Sequence, residues 1–243
     1  MEIQVNQAID AIISGCWNGL NENQQKDFDV KSFHQSIIES FEGEPDFLKK
    51  LNKLDEVMDE YPYAEAIREV LVDMLFIHFF STDAQRLEED YLDSPEWEKI
   101  EDQTIERGTE LLNLFLYLKE CNEEEEEPEL SHFLKEFLLI DEDEFQDEYE
   151  IYEQVIANQI LVEAETSEIA RVSKSIPEDD EMKEVFYPLM SFFANPIFEE
   201  VEFNEYIKHS SNKPYDAATL AGIYAYYHGT AIFSKTFLNC IQK

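Results

Sequence analysis

The sequence has few positive charges and few of the residues that form turns. It contains 18 Lys and Arg against 56 Asp and Glu in 243 residues, which gives a formal net charge of −38. Phosphate backbones and anionic membranes are bound by basic surfaces, so this composition argues against direct nucleic-acid binding and against a membrane partner. Only 6 Gly and 8 Pro are present. So few turn residues argue against a many-stranded β fold.

Cysteine is also scarce. The three cysteines, Cys16, Cys121 and Cys240, are odd in number and have no short spacing. This pattern fits neither a disulfide framework nor a CxxC metal site. The N-terminal stretch MEIQVNQAID lacks the basic start and the continuous apolar run of a secretory signal. We therefore expect free thiols and a cytoplasmic location.

Apolar and aromatic residues are abundant despite the charge. Hydrophobic residues make up 44% of the chain, including 18 Phe and 12 Tyr, which excludes wholesale disorder. They recur at helical spacing along nearly the whole chain. The sequence therefore predicts an all-α, multi-helix bundle of about nine helices that forms a single domain over residues 1–243. Five consecutive glutamates, 123–127, precede Pro128 and mark a candidate lobe boundary near 122–128, although a solvated loop is the favoured explanation.

Two of the expected helices are long. Ser94 and Pro95 give a strong helix start, and the apolar spacing continues to about Cys121 with a possible bend near Gly108. The acidic run 141–150 opens a second long helix that extends to Ile160, because acids are stabilised at a helix N-terminus.

The most apolar segment lies near the C-terminus. Residues 217–234 carry no formal charge and are apolar on every helical face, which is typical of a helix surrounded by other protein. The segment approaches the length of a membrane span, but His228, Gly222 and Gly229 suit a protein core better. We expect a buried C-terminal helix that a neighbour approaches closely at both glycines, with 63–80 as a second central helix. Whether the same chain or a second copy covers it, and hence the oligomeric state, stays open. At the other end of the chain, Gly15 and Gly19 are expected to close the first helix.

No motif predicts a specific chemistry. The sequences GxxxxGK[ST], GxGxxG, HExxH and GxSxG are absent. Glu129 and His132 match one half of a di-iron site, but the chain has no second ExxH. The pairs Glu56-x-x-Asp59 and Glu150-x-x-Glu153 could hold Mg²⁺, yet no basic residues stand nearby to bind a triphosphate. The sequence therefore predicts no catalytic residues, no metal site and no cofactor.

The candidate ligand-binding residues lie where the acids become rare. From Lys208 onward the chain has one acid, Asp216, and four lysines, so this end carries +3 and the preceding 207 residues carry −41. A polar loop comes first, and an aromatic cluster spaced i, i+3 and i, i+4 follows on one face of the last helix. Buried hydroxyls and imidazoles need partners, so this region is either a core polar network or the wall of a pocket. The candidates are His209, Asn212, Lys213, Tyr215, Tyr224, Tyr227 and His228.

Charge and missing motifs together predict a non-enzymatic interaction protein whose acidic surface engages a basic protein. A nucleic-acid mimic or an immunity-type inhibitor of a nuclease would be such a protein. Two alternatives stay open. One is an all-α hydrolase that uses helix-face carboxylates to hold Mg²⁺ or Mn²⁺. The other is a small-molecule binder with a pocket at the C-terminal helix.

Overall fold

The computed structural model describes residues 1–43, 46–83, 94–140, 147–197 and 199–229. Within these ranges the regular structure is entirely helical, which confirms the predicted all-α class. The α-helices are α1 (Ile3–Gly19), α2 (Glu22–Asp27), α3 (Val30–Phe41), α4 (Phe47–Glu60), α5 (Arg68–His78), α6 (Pro95–Thr104), α7 (Leu111–Glu124), α8 (Leu130–His132), α9 (Asp147–Ile151), α10 (Glu153–Ala157), α11 (Thr166–Ser173), α12 (Phe186–Ala194), α13 (Glu200–His209) and α14 (Lys213–His228). Short 3₁₀ segments cover Pro62–Ile67 and Gln159–Glu163, and wider π turns cover Phe79–Asp83 and Phe133–Phe137.

The predicted count of about nine helices is wrong for local reasons, since the described residues form fourteen. The helix expected from Ser94 to Cys121 is two helices, because Gly108 adopts a left-handed conformation with φ of 85°. The helix expected over 141–160 breaks at Tyr152, whose ψ of 9° leaves the helical region; its first residues, 141–146, lie outside the described part. Helices α2 and α11 were not predicted because neither has a long apolar stripe.

Helices α1 and α14 form the most extensive contact among the described elements. Their backbones lie so close that glycine is required. A Cβ on Gly15 would overlap backbone atoms of Ala217 and Ala218, and one on Gly19 would lie 2.5 Å from the carbonyl oxygen of Lys213. The prediction that these two glycines close the first helix is therefore wrong for Gly15, since α1 continues past it to Gly19.

The two C-terminal glycines have different roles. A Cβ on Gly222 would lie 2.5 Å from Cγ1 of Ile12, which confirms the predicted close approach of a neighbouring helix. Gly229 is instead the C-cap of α14, with φ of 67° and an amide that donates to the carbonyl of Ala225 at 3.0 Å. Helix α14 therefore ends at His228, and residues 230–234 of the predicted apolar segment lie outside the described part, as do 235–243.

The two helices predicted to be central are buried. In α14 every residue from Tyr215 to Tyr226 is buried, and in α5 every residue from Val70 to His78. One contiguous cluster of buried apolar side chains extends from α1 to α14. None of the helices in the described ranges is long and apolar enough to cross a membrane.

The acidic run 123–127 is the end of a helix and a short turn. Helix α7 includes Glu124, and Glu125 adopts φ of 59° as its C-cap. The chain then folds back onto α7, because the Tyr117 hydroxyl accepts the amide of Glu129 at 3.0 Å and lies 3.2 Å from Nδ1 of His132. The single-domain organisation stays a prediction.

Candidate functional site

The polar loop before α14 is organised by one buried carboxylate. Asp216 is only 5% exposed, and its Oδ2 accepts the Ser210 hydroxyl at 2.6 Å and the Asn212 amide at 3.5 Å. Burial raises the pKa of Asp216 to about 6, although these hydrogen bonds partly oppose the shift. Its carbonyl oxygen accepts the hydroxyl of Tyr206 at 3.2 Å, and the ring of Tyr206 stacks on Tyr187 with centroids 4.4 Å apart. Hydrogen bonds to Asp216 thus fix the first turn of α14 against the preceding loop and against Tyr206.

Two cavities meet at this point. The larger, of about 930 Å³, is hereafter the acidic cleft, and the smaller has about 320 Å³. Both are lined by the same five residues where they join, Glu178, Lys183, Glu184, Asn212 and Tyr215. The walls of the cleft come from the 3₁₀ segment and the first turn of α5, from 105–113, and from 178–185.

Acidic side chains dominate the cleft. Eight carboxylates and three cations line it, which leaves a net charge of −5. The carboxylates are those of Glu65, Glu69, Glu106, Glu110, Glu178, Asp180, Glu181 and Glu184, and the cations are Arg68, Arg107 and Lys183.

The two arginines are held by carboxylates beneath and beside the cleft. Arg107 bridges Asp55 at 2.9 Å and Glu69 at 3.1 Å. Arg68 contacts Asp55 at 3.0 Å, Asp59 at 2.7 Å and Glu65 at 2.9 Å. Burial alone would raise the pKa of Asp55, but hydrogen bonds from the two arginines bring it below its usual value. Both guanidinium groups are therefore neutralised inside the protein.

The third cation is also engaged. Nζ of Lys183 donates to the carbonyl oxygen of Ile176 at 2.6 Å and contacts Glu178 at 3.0 Å. By contrast, three exposed carboxylates of the cleft form no ion pair with any described residue, namely those of Glu106, Glu181 and Glu184.

A second buried carboxylate supports the wall of the cleft. Asp73 is fully buried in α5 and accepts both the amide of Thr109 at 2.8 Å and its hydroxyl at 2.7 Å. The amide of Gly108 donates to Glu69 at 2.7 Å. Burial raises the pKa of Asp73 well above its usual value, against the effect of the Thr109 hydrogen bonds. These bonds fix the break between α6 and α7, which forms one side of the cleft.

Tyr215 lines the cleft where the two cavities join, and its hydroxyl lacks a hydrogen bond of normal geometry to the described residues. The residue is 3% exposed, and its Oη has no hydrogen-bond partner among the described residues in normal geometry. The hydroxyl of Thr219, one helical turn further along α14, is buried and lies close enough to act on the pKa of Tyr215, but the two hydroxyls do not form a hydrogen bond of normal geometry with each other or with another described residue. Burial raises the pKa of Tyr215 well above its usual value, and the nearby carboxylates of Glu184 and Asp73 add to the shift.

The aromatic candidates lie at the opposite end of α14. The hydroxyl of Tyr224 donates to the carbonyl oxygen of Asn195, and Nε2 of His228 lies 2.8 Å from that of Pro196. Thirteen residues separate Tyr215 from His228, about 20 Å along a helix. A third cavity, of about 640 Å³, is lined there by apolar side chains, by polar residues that include Glu127 and Glu129, and by Tyr227 and His228.

The structure thus divides the predicted residues. It brings Asn212 and Tyr215 to the acidic cleft, and Tyr227 and His228 to the third cavity with Tyr224 beside them. The remaining two line none of these three cavities: His209 contacts Glu205 at 2.9 Å, and Lys213 is exposed. Sequence reasoning missed the arginine network and Glu184, because a chain so rich in acids gives no signal for any one of them.

The sequence pairs considered for metal binding are also placed. Asp59 is bound by Arg68, while Glu150 and Glu153 belong to different helices, α9 and α10. No three His, Cys, Asp or Glu residues within the described ranges converge in a way that could hold a metal ion.

Comparisons with protein-family models, with curated proteins and with solved structures give no match to this chain. The geometry and the charge of the cleft are therefore the features from which a function can be inferred.

Proposed function

We propose that this chain is an interaction protein that binds a basic partner through the acidic cleft. The observation that supports the proposal is the imbalance inside the cleft. All three cations are held by ion pairs, whereas Glu106, Glu181 and Glu184 keep carboxylates without a counter-charge among the described residues. A cationic side chain entering the cleft would supply that counter-charge.

The concave shape distinguishes the cleft from the rest of the acidic surface. On a convex helix face a cation meets one or two solvated carboxylates, and such pairs contribute little. In a cleft several carboxylates act on the same cation, and the low-dielectric walls concentrate their field. The net charge of −38 adds long-range attraction, which salt weakens.

A cationic peptide can test this proposal directly. The probe is a fluorescent octalysine peptide, titrated at low and at high salt and followed by anisotropy. We compare the wild type with Glu106→Gln/Glu181→Gln/Glu184→Gln, which removes three charges from the cleft. The control is Glu56→Gln/Glu101→Gln/Glu163→Gln, which removes three exposed charges from residues that do not line it.

We expect the cleft variant to bind about tenfold more weakly at low salt, since three exposed pairs of modest strength together give about one decade. The control should stay within about threefold of the wild type because both variants have the same total charge. Equal losses in the two variants would mean that the peptide binds the acidic surface diffusely. No binding of octalysine to the wild type would also refute the proposal.

One alternative has a specific observation in its favour. The third cavity suits a small amphipathic molecule, because apolar and polar side chains line it together beside Tyr227 and His228. Native mass spectrometry of the purified protein tests this alternative, and a co-purified ligand would support it. The carboxylate-dependent hydrolase keeps its own test, a thermal melt with Mg²⁺ or Mn²⁺, in which specific binding raises the midpoint.

A further inference from the structure

We propose that the Tyr215 end of the acidic cleft is a specific seat for one alkylammonium or guanidinium group. This inference rests on the proposed function and deepens it, because it names the chemical group that the cleft recognises. Oη of Tyr215 accepts an N–H of that group, and the carboxylate of Glu184 balances its charge. The group could belong to a lysine or arginine of a protein or to a free polyamine, and the experiment below separates these sources.

The Tyr215 hydroxyl is buried without a hydrogen bond of normal geometry to any described residue. A tyrosine that is 3% exposed normally finds a hydrogen-bond partner for its hydroxyl, because an unpaired buried polar atom is costly. Tyr215 has none among the described residues in normal geometry, yet it lies where the two cavities join. Even if the Tyr215 hydroxyl donated to Thr219, its oxygen would keep a lone pair that can accept a hydrogen bond. By contrast, the buried hydroxyls of Tyr187 and Tyr206 both donate to backbone carbonyl oxygens, those of Tyr206 and Asp216.

The electrostatic field at the Tyr215 hydroxyl is negative. The acidic groups of Glu184, Asp73 and Asp216 all act on the Tyr215 hydroxyl. Because burial favours the neutral form of Asp73, the negative field at neutral pH comes from the carboxylates of Glu184 and Asp216. They oppose the formation of a phenolate and disfavour an anionic ligand. They favour a donor that carries a positive charge, and a hydrogen bond to such a donor is stronger than one between neutral groups.

The neighbouring cationic side chains do not supply a positive charge to the Tyr215 hydroxyl, because they are held elsewhere. Lys183 lines both cavities, but its Nζ is directed to the carbonyl of Ile176 and to Glu178. Arg107 is held by Asp55 and Glu69. Glu184 is therefore left beside Tyr215 without an ion-pair partner in the described part of the chain.

The experiment compares two tyrosines of the same helix. Tyr215→Phe removes the proposed acceptor. Tyr226→Phe is the matched control, because Tyr226 is equally buried in α14, has a hydroxyl without a hydrogen-bond partner among the described residues, and does not line the cleft. Both variants and the wild type are titrated with spermidine and with octalysine, and fully acetylated octalysine serves as the uncharged probe.

We expect Tyr215→Phe to weaken binding of at least one cationic probe about tenfold, as for a lost hydrogen bond to a charged donor. Tyr226→Phe should remain within about twofold of the wild type, and the acetylated peptide should not bind. A loss confined to spermidine assigns the seat to a free polyamine, and a loss confined to octalysine assigns it to a protein side chain. Wild-type affinity in Tyr215→Phe, or an equal loss in Tyr226→Phe, would overturn the inference.

A second variant keeps the test independent of folding. Glu184→Gln changes an exposed residue and is compared with Glu163→Gln, an exposed acid that does not line the cleft. If Tyr215→Phe does not fold, equal binding by these two variants would overturn the inference, and a loss in Glu184→Gln alone would support it. Failure of this inference is distinguishable from failure of the proposed function. In the first case octalysine still binds the wild type and loses affinity in the triple cleft variant, and in the second it does not.

Discussion

The substitution Gly15→Ala tests the close backbone contact between α1 and α14 directly. The new Cβ would overlap the carbonyl group of Ala217 and the Cα of Ala218, which are backbone atoms in the buried part of α14. A side chain could rotate away from such a contact, but a helix backbone cannot. Helices α1 and α14 would have to separate, and that separation would loosen the packing of the side chains between them.

The magnitude follows from two opposing effects. Alanine is better than glycine in a helix interior by about 1 kcal/mol. Overpacking a core costs about 1–3 kcal/mol, and a rigid backbone neighbour places this site at or above the upper end. We therefore expect Gly15→Ala to lower the free energy of unfolding by about 2 kcal/mol net. Urea denaturation followed by circular dichroism measures this quantity.

Gly222→Ala provides the matched comparison. It has the same gain in helix propensity, but its Cβ meets a side chain, Cγ1 of Ile12 at 2.5 Å and Cδ1 at 3.0 Å. Because a side chain can shift, the loss should be smaller than for Gly15→Ala. Removing the obstacle in Gly222→Ala/Ile12→Ala should make the double variant more stable than the sum of the single changes predicts.

A Gly15→Ala protein as stable as the wild type, or more stable, would refute this reasoning. It would mean that the helix-propensity gain is not opposed, and hence that the backbones of α1 and α14 are not in contact at this position. Purely additive effects of Gly222→Ala and Ile12→Ala would in turn show that these two side chains do not share a space.

Two further predictions follow from buried ionisable groups. The pKa of Asp216 rises from 3.8 to about 6 on folding, so the folded state binds the extra proton between these values and stability is lost as the pH rises through 6. From pH 4 to pH 7.5 the stability of Asp216→Asn relative to the wild type should rise by up to about 3 kcal/mol in urea denaturation; the exposed Glu101→Gln should show no such change, and a pH-independent difference for Asp216→Asn would contradict the assignment. Burial raises the pKa of the Cys16 thiol to about 12, so in a Cys240→Ser background alkylation followed by mass spectrometry should modify Cys16 only as fast as the protein unfolds. Rapid modification of Cys16 in the native protein would mean that the α1 interface is open.

The sequence was a good guide to elements with an uninterrupted apolar stripe. The expected helix over 30–41 coincides with α3, and the apolar character of α14 correctly indicated its burial. The interruptions were harder to predict, because Tyr152 keeps the apolar spacing of a continuous helix while its ψ of 9° ends one. Periodicity reports which face is buried and says little about the dihedral angles of a single residue.

The partner of α14 could not be read from periodicity either. Gly15 and Gly19 in α1 and Gly222 in α14 are complementary small residues, but a glycine near a predicted helix end is equally typical of a cap. Two of the seven site candidates, Asn212 and Tyr215, line the acidic cleft. The local drop in acidic residues was the sequence signal that pointed to them. The opposite wall, with Arg107 and Glu69, is formed by residues more than a hundred positions earlier, and no local pattern relates them to Tyr215.

The contact between α1 and α14 and the cleft are physically linked. At Gly19 the backbone of α1 touches Lys213 and Pro214, so the close packing of the two helices sets where the first turn of α14 begins. That turn carries Tyr215. The other wall is fixed separately, because the Arg107 ion pairs connect α4 to the first turn of α5 through Asp55 and Glu69. The width of the cleft at Tyr215 therefore depends on two rigid contacts that share no residue, and a cation placed between them would interact with both walls at once.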